Sequence, residues 1–106
     1  VEPYLDTFIA AIDGPSIVAR DHAVRILARL ASIEEIRSRV LAALHHALET
    51  APINQLPMYA EEVGATVRSD ESEKVRAILV VRLAEVVQPA KIRRLEAVLR
   101  RLPEPA

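Results

Sequence analysis

Apolar positions are densest at Val75–Val87, VRAILVVRLAEVV, where only Arg76, Arg82 and Glu85 interrupt the run. Val75, Ile78, Leu79, Leu83 and Val86 fit one helical face. Val80, Val81 and Val87 widen that face until it nearly surrounds the axis, the pattern of a buried helix. The β-branched residues favour a strand, but the segment is long for one. Helix formers (Arg76, Ala77, Leu79, Leu83, Ala84, Glu85) are interleaved with the valines. The lead-in Ser69–Glu73 places Asp70 and Glu73 at capping-box spacing. The reading is a helix from 71 to about 87, with the rest of the chain packed around it.

Helical stripes recur through the remaining sequence. Tyr4, Leu5, Phe8, Ile9 and Ile12 form one, stopped by Asp13-Gly14-Pro15. It holds two of the three aromatics and is expected to plug one end of the core. Ala19, Ala23, Ile26, Leu27 and Leu30 mark a second helix over 16–31. Ser32 and Glu35 have capping-box spacing ahead of a third, with Ile33, Ile36, Val40, Leu41, Leu44, Ala47 and Leu48 on one face. A Pro-rich link at 51–57 precedes a short helix with Leu56, Tyr59, Ala60 and Val63 inward and Gly64 as its C-cap. Pro89 opens the last helix, striped by Ile92, Leu95, Val98, Leu99 and Leu102 and stopped by Pro103.

These elements predict an all-α fold, an orthogonal bundle of five or six helices around the apolar helix at 71–87. Residues 1–106 read as one domain, frayed at 1–2 and 103–106. A long helix, tight turn and long helix occur at 16–50 and again at 71–102. Two loosely similar copies are too few for a repeat, and a shared packing solution accounts for them.

Composition adds bounds. Hydrophobic residues make up 51% of 106 residues, and mean hydropathy is +0.16. The core is aliphatic, and so much aliphatic surface on a short chain predicts that a partner covers part of it. The net charge is -1, from 14 basic and 15 acidic residues, so no global field attracts nucleic acid or anionic membranes. No apolar run exceeds five residues, Ala77–Val81 among them, far below the roughly 20 residues of a membrane span. Cysteine is absent, which excludes disulfides and thiolate metal sites and fits a cytoplasmic setting. The chain opens on Val1, as a processed form or an excised domain would.

Candidate chemistry is sparse. His45 and Glu49 share a helix face, but no His-x-x-x-His or Glu-x-x-His motif accompanies them, so neither metal nor cofactor is expected. With only Gly14 and Gly64 there is no Gly-rich phosphate loop. No nucleophile–base constellation stands out, and the chain reads as a non-enzyme. The last helix is basic: Lys91, Arg93, Arg94, Arg100 and Arg101 could contact phosphates, though no aromatic stacks beside them. Arg76 and Arg82 interrupt an apolar helix. If buried, each needs a partner, with Glu85 a candidate for Arg82.

Tyr4-Leu5-Asp6 and Ser32-Ile33-Glu34-Glu35-Ile36, leading to Val40-Leu41, resemble the helical cap of cobalamin-binding regulatory domains over less than half the chain. The Trp- and His-containing segments of that family have no counterpart here, and no residue roles are carried over. The function expected from the residues is a protein-interaction or regulatory module, self-associating through Val80, Val81, Leu83 and Val87. The alternatives are a ligand-sensing domain with a pocket among Tyr4, Phe8 and Tyr59, and a nucleic-acid-associated protein using the basic last helix.

Overall fold

The computed structural model describes residues 2–105. Among these, six α-helices follow one another: α1 (Glu2–Ala11), α2 (Ile17–Leu30), α3 (Arg37–Thr50), α4 (Leu56–Gly64), α5 (Ser72–Leu83) and α6 (Pro89–Arg101). Short 3-10 turns at Glu34–Ile36 and Ser69–Glu71 lead into α3 and α5, and the described residues contain no strand. Of the expected frayed ends, Val1 and Ala106 lie outside the described residues; α1 begins at Glu2, and residues 103–105 are not helical.

Local chemistry sets the helix starts. Ser16 Oγ accepts the Ala19 N–H at 3.1 Å and caps α2. Proline in the first turn opens α4 and α6. The two expected capping boxes do not form. Ser32 Oγ instead donates to the Arg29 carbonyl at 3.1 Å. At the second, the Arg68 N–H donates to Glu71 Oε1 at 2.7 Å. In both places a 3-10 turn tightens the entry, so the side chain at cap spacing is displaced from the free amides.

The helices stack as a ladder of pairs. Each meets helices one or two places along the chain: α2 touches α1, α3 and α4, and α4 touches α2, α3, α5 and α6. Side-chain links between alternate helices, or the turns at their ends, fall 33 or 34 residues apart. Asp6 meets Arg39 and Asp13 meets His46, both 33 apart. Glu34 meets Arg68 and Arg37 meets Glu71, both 34 apart. Glu61 meets Arg94, 33 apart. Such links join α1 to α3, α3 to α5 and α4 to α6, each pair running parallel. The overall extents, 39 × 36 × 16 Å, match two helix layers about 10 Å apart. This is the contact pattern of stacked helical pairs. Three pairs are present, where the sequence pattern suggested two loosely similar copies.

The centre of the structure is α4, not 71–87. Leu56, Tyr59, Ala60 and Val63 are essentially fully buried, and buried side chains from all six helices join theirs in one core. On α5 the buried positions are Ser72, Val75, Leu79 and Arg82, followed by Val86 beyond its end. Their three- and four-residue spacing marks one narrow face. The valines that suggested burial all round point outward, and the helix ends at Leu83 because the chain turns before Pro89. On α2 the buried face shifts to Ala23, Val24, Leu27 and Ala28, leaving Ala19 exposed, because α1, α3 and α4 all pack on it. Tyr4 is 72% exposed, so α1 seals the core with Leu5 and Ile12 rather than with both aromatics. Gly64 is not the C-cap: it is the last residue of α4, has no positive φ, and is followed by Ala65 as the cap. Its missing side chain instead makes room for α6, since a Cβ there would meet Val98 Cγ1 at 2.9 Å.

Two buried arginines fasten α3 at its two ends. Arg37 pairs with Glu71 through Nε (2.9 Å) and Nη2 (2.6 Å), and donates to the carbonyls of Ala31 (2.6 Å) and Thr66 (2.7 Å). Arg82 donates to the carbonyls of Leu48 (2.7 Å), Glu49 (3.2 Å) and Ala51 (2.7 Å), the last residues of α3 and the one after it. Its Nε takes Glu85 Oε2 at 3.0 Å, the partner expected from sequence. Helix C-terminal carbonyls lack intrahelical donors, and a cation there also meets the helix dipole. Arg82→Met should therefore cost about 3 kcal/mol by leaving buried carbonyls unsatisfied. Glu85→Ala should cost less than about 1 kcal/mol, because Glu85 stands half in solvent and Arg82 keeps its carbonyl acceptors without it. Urea unfolding of both variants measures the difference, and equal costs would contradict it.

Candidate functional site

The outward side of α5 carries an exposed apolar ridge. Val80 and Val81 are 55% and 68% exposed, and Val87, just past the helix, is 84% exposed. Ala77 and Ala84 lie between the valines and are also exposed, while Leu83 is half-buried. Thus three of the four residues expected to form an interaction face are open, and the fourth is partly so. The buried face of α5 explains their direction. Val75, Leu79 and Arg82 are held against α3 and the core, so positions a half-turn away must face out.

Two grooves flank the valine ridge. On the α3 side, Glu49, Ala77, Ile78, Val81, Arg82 and Glu85 line a groove of about 450 Å³. On the α6 side, Leu83, Glu96, Leu99 and Arg100 line one of about 360 Å³. Arg76 is half-buried, donating from Nη1 to the Leu99 carbonyl at 3.3 Å. It ties α5 to α6 and resolves one of the two interruptions. Lys74 is exposed and forms no salt bridge among the described residues.

The aromatic trio does not assemble. Tyr4 stands on the outside of α1, and Phe8 is half-buried. Tyr59 is buried in α4, with its hydroxyl donating to Asp21 Oδ1 at 2.7 Å. Burial, then that carboxylate, pushes the phenol well above its usual range. Tyr59 is a satisfied core residue, and the grooves described here are lined by other side chains.

The basic residues of α6 are partly committed. Arg94 makes a two-pronged pair with Glu61, Nε to Oε2 at 3.0 Å and Nη2 to Oε1 at 2.6 Å. That guanidinium holds the Glu61 carboxyl below its usual range. Lys91 bonds Gln88, and Arg101 lines a groove with Glu61, Gly64 and Val98. Arg93 and Arg100 are exposed. The expected phosphate row is therefore interrupted at Arg94, which Glu61 of α4 neutralises.

The histidines separate. His22 is exposed, and His46 Nε2 meets Asp13 Oδ1 at 2.7 Å. His45 is half-buried, with Nε2 buried and unpartnered among the described residues. No group of three or more His, Cys, Asp or Glu side chains is placed to hold a metal among the described residues. The functional feature that sequence reading missed is Arg37, whose spacing from Leu41, Leu44 and Leu48 put a charge in line with the α3 stripe.

Comparison with known proteins brings no family model, curated protein or solved structure into match with this chain.

Two groups give the fold a pH dependence of known sign. The Glu71 carboxyl is held low first by Arg37. Its contribution is present above the ordinary value of 4.5 and lost as pH falls through the lower folded value. Burial, then Lys74, lowers His45 from 6.5. Below that value the unfolded chain takes up a proton that the folded chain resists, so stability falls with pH there and is fully present above it. The urea midpoint should drop between about pH 7.5 and about pH 5.5, on either side of the ordinary histidine value, and drop less in His45→Gln. An unchanged slope in that variant would contradict the assignment.

Proposed function

We propose that this chain is a non-enzymatic interaction module that self-associates through the outer face of α5. The observation supporting this most is the exposure of Val80 and Val81 on a helix whose other side is fixed to the core. Large exposed apolar patches mark contact surfaces. In the proposed contact a few apolar side chains supply most of the energy and the charged rim sets register. No helix of the described residues is long and apolar enough to cross a membrane, and a cytoplasmic setting, compatible with the lack of cysteine, is part of the proposal.

Molecular mass by sedimentation should rise with concentration over a hundredfold range. Val80→Ser with Val81→Ser should weaken association at least tenfold, roughly 1.4 kcal/mol. Both sites are exposed, so the unfolding midpoint of the dilute chain should shift by less than about 0.5 kcal/mol equivalent. A strict monomer throughout would overturn self-association.

A further inference from the structure

The charges bordering the α5 face specify how two copies would meet. At 3.6 residues per turn, Lys74 and Val81 follow one flank, and Arg76, Val80 and Leu83 follow the other; Glu85, in the turn after α5, lines the same groove as Val81. Ala77 and Ala84 run between them. The grooves agree with this division: Val81 and Glu85 line the one toward α3, and Leu83 the one toward α6.

We infer that two copies of this chain dock α5 against α5, antiparallel, about a two-fold axis at Val80–Val81. This rests on the self-association proposed above and adds its geometry. A two-fold interface is isologous, so each contact occurs twice and the face must complement itself. In the antiparallel arrangement each flank meets the same flank of the other copy. Lys74 then meets Glu85 of the partner subunit, and Ala77 meets Ala84 of the partner subunit. Both pairings are centred on the Leu79–Val81 turn.

A parallel arrangement brings opposite flanks together. It would set Lys74 beside the partner subunit's Arg76, and Glu85 beside the partner subunit's Leu83. Like charges in contact disfavour that pairing. Lys74 has no ion pair of its own among the described residues, and Glu85 uses only Oε2 on Arg82. Both are thus available. The small side chains of Ala77 and Ala84 let the axes approach, and Val81, on the wall of the groove toward α3, packs against the same groove of the other copy. One helix of 12 residues is about 18 Å long. Its face buries less than the roughly 800 Å² per partner of a standard interface. The dimer is accordingly weak, with a Kd on the order of 10 to 100 µM.

Single thiols test this cleanly because the chain has no cysteine. Full-length Ala77→Cys and Ala84→Cys are oxidised separately and mixed, at concentrations where the parent is dimeric. The expected product is the mixed 77–84 disulfide, with little 77–77 or 84–84. Positions seven apart on a helix are separated by about 10 Å, beyond the roughly 7 Å reach of a disulfide. A second measurement uses charge. Lys74→Glu and Glu85→Lys should each dimerise about tenfold more weakly than the parent, and an equimolar mixture should recover parental affinity. Predominant 77–77 and 84–84 products from a dimeric parent would overturn the antiparallel pairing alone. A dimeric parent with no cross-link at either site would place the contact elsewhere. A monomeric parent would overturn the self-association beneath it and leave the face to a different partner.

Discussion

Two guanidinium groups in the interior set the geometry of this chain. Arg37 and Arg82 are both buried; Arg37 divides its donors between the Glu71 carboxylate and two backbone carbonyls, and Arg82 gives most of its own to carbonyls. At the start of α3, Arg37 joins the end of α2, the turn after α4 and Glu71 before α5. At the end of α3, Arg82 takes up the carbonyls that a helix terminus leaves open. A buried charge is costly unless fully bonded. Here both cations are bonded in several directions, so each holds segments distant in sequence in one arrangement.

That constraint orients α5. Glu71 just before it is held by Arg37, and Arg82 near its end is held by α3. The helix lies parallel to α3, pinned at both ends, with little freedom to rotate about its axis. Val75 and Leu79 between the pins enter the core, and Val80 and Val81 are left on the outside. The exposed valine face is therefore a consequence of where the arginines sit. The same logic runs along the stack. Links 33 or 34 residues apart join alternate helices, so each helical pair covers the apolar side of the one before it. The face of α5 is where this mutual covering stops.

The helical character, the approximate boundaries of α4 and α6, and the stripes Leu56–Tyr59–Ala60–Val63 and Leu95–Val98–Leu102 were legible because packing there follows simple periodicity. What failed was the inference from apolar density to burial on α5. Val80 and Val81, read both as part of an all-round apolar helix and as a contact face, are exposed, and Arg82, whose burial hung on finding a partner, is in the core. No local pattern announces that burial, since the acceptors of Arg82 are carbonyls 31 to 34 residues away. The near-34-residue spacing was hidden for a similar reason. It is a repetition of contacts between unlike residues, an Asp with an Arg in one pair and a Glu with an Arg in another, and leaves little sequence similarity. Tyr59 read as a pocket residue because its hydroxyl partner, Asp21, comes from α2 38 residues earlier. The residues of the exposed valine face stood out in the sequence, but its exposure depends on the pins, which did not.

The most direct measurement of this account is the unfolding free energy of Arg37→Met in urea. If the buried guanidinium fixes α2, α3 and the approach to α5, the variant loses about 3 kcal/mol or more, because three carbonyl or carboxylate partners are left without a donor. A loss below about 0.5 kcal/mol, the size of an ordinary surface substitution, would contradict it.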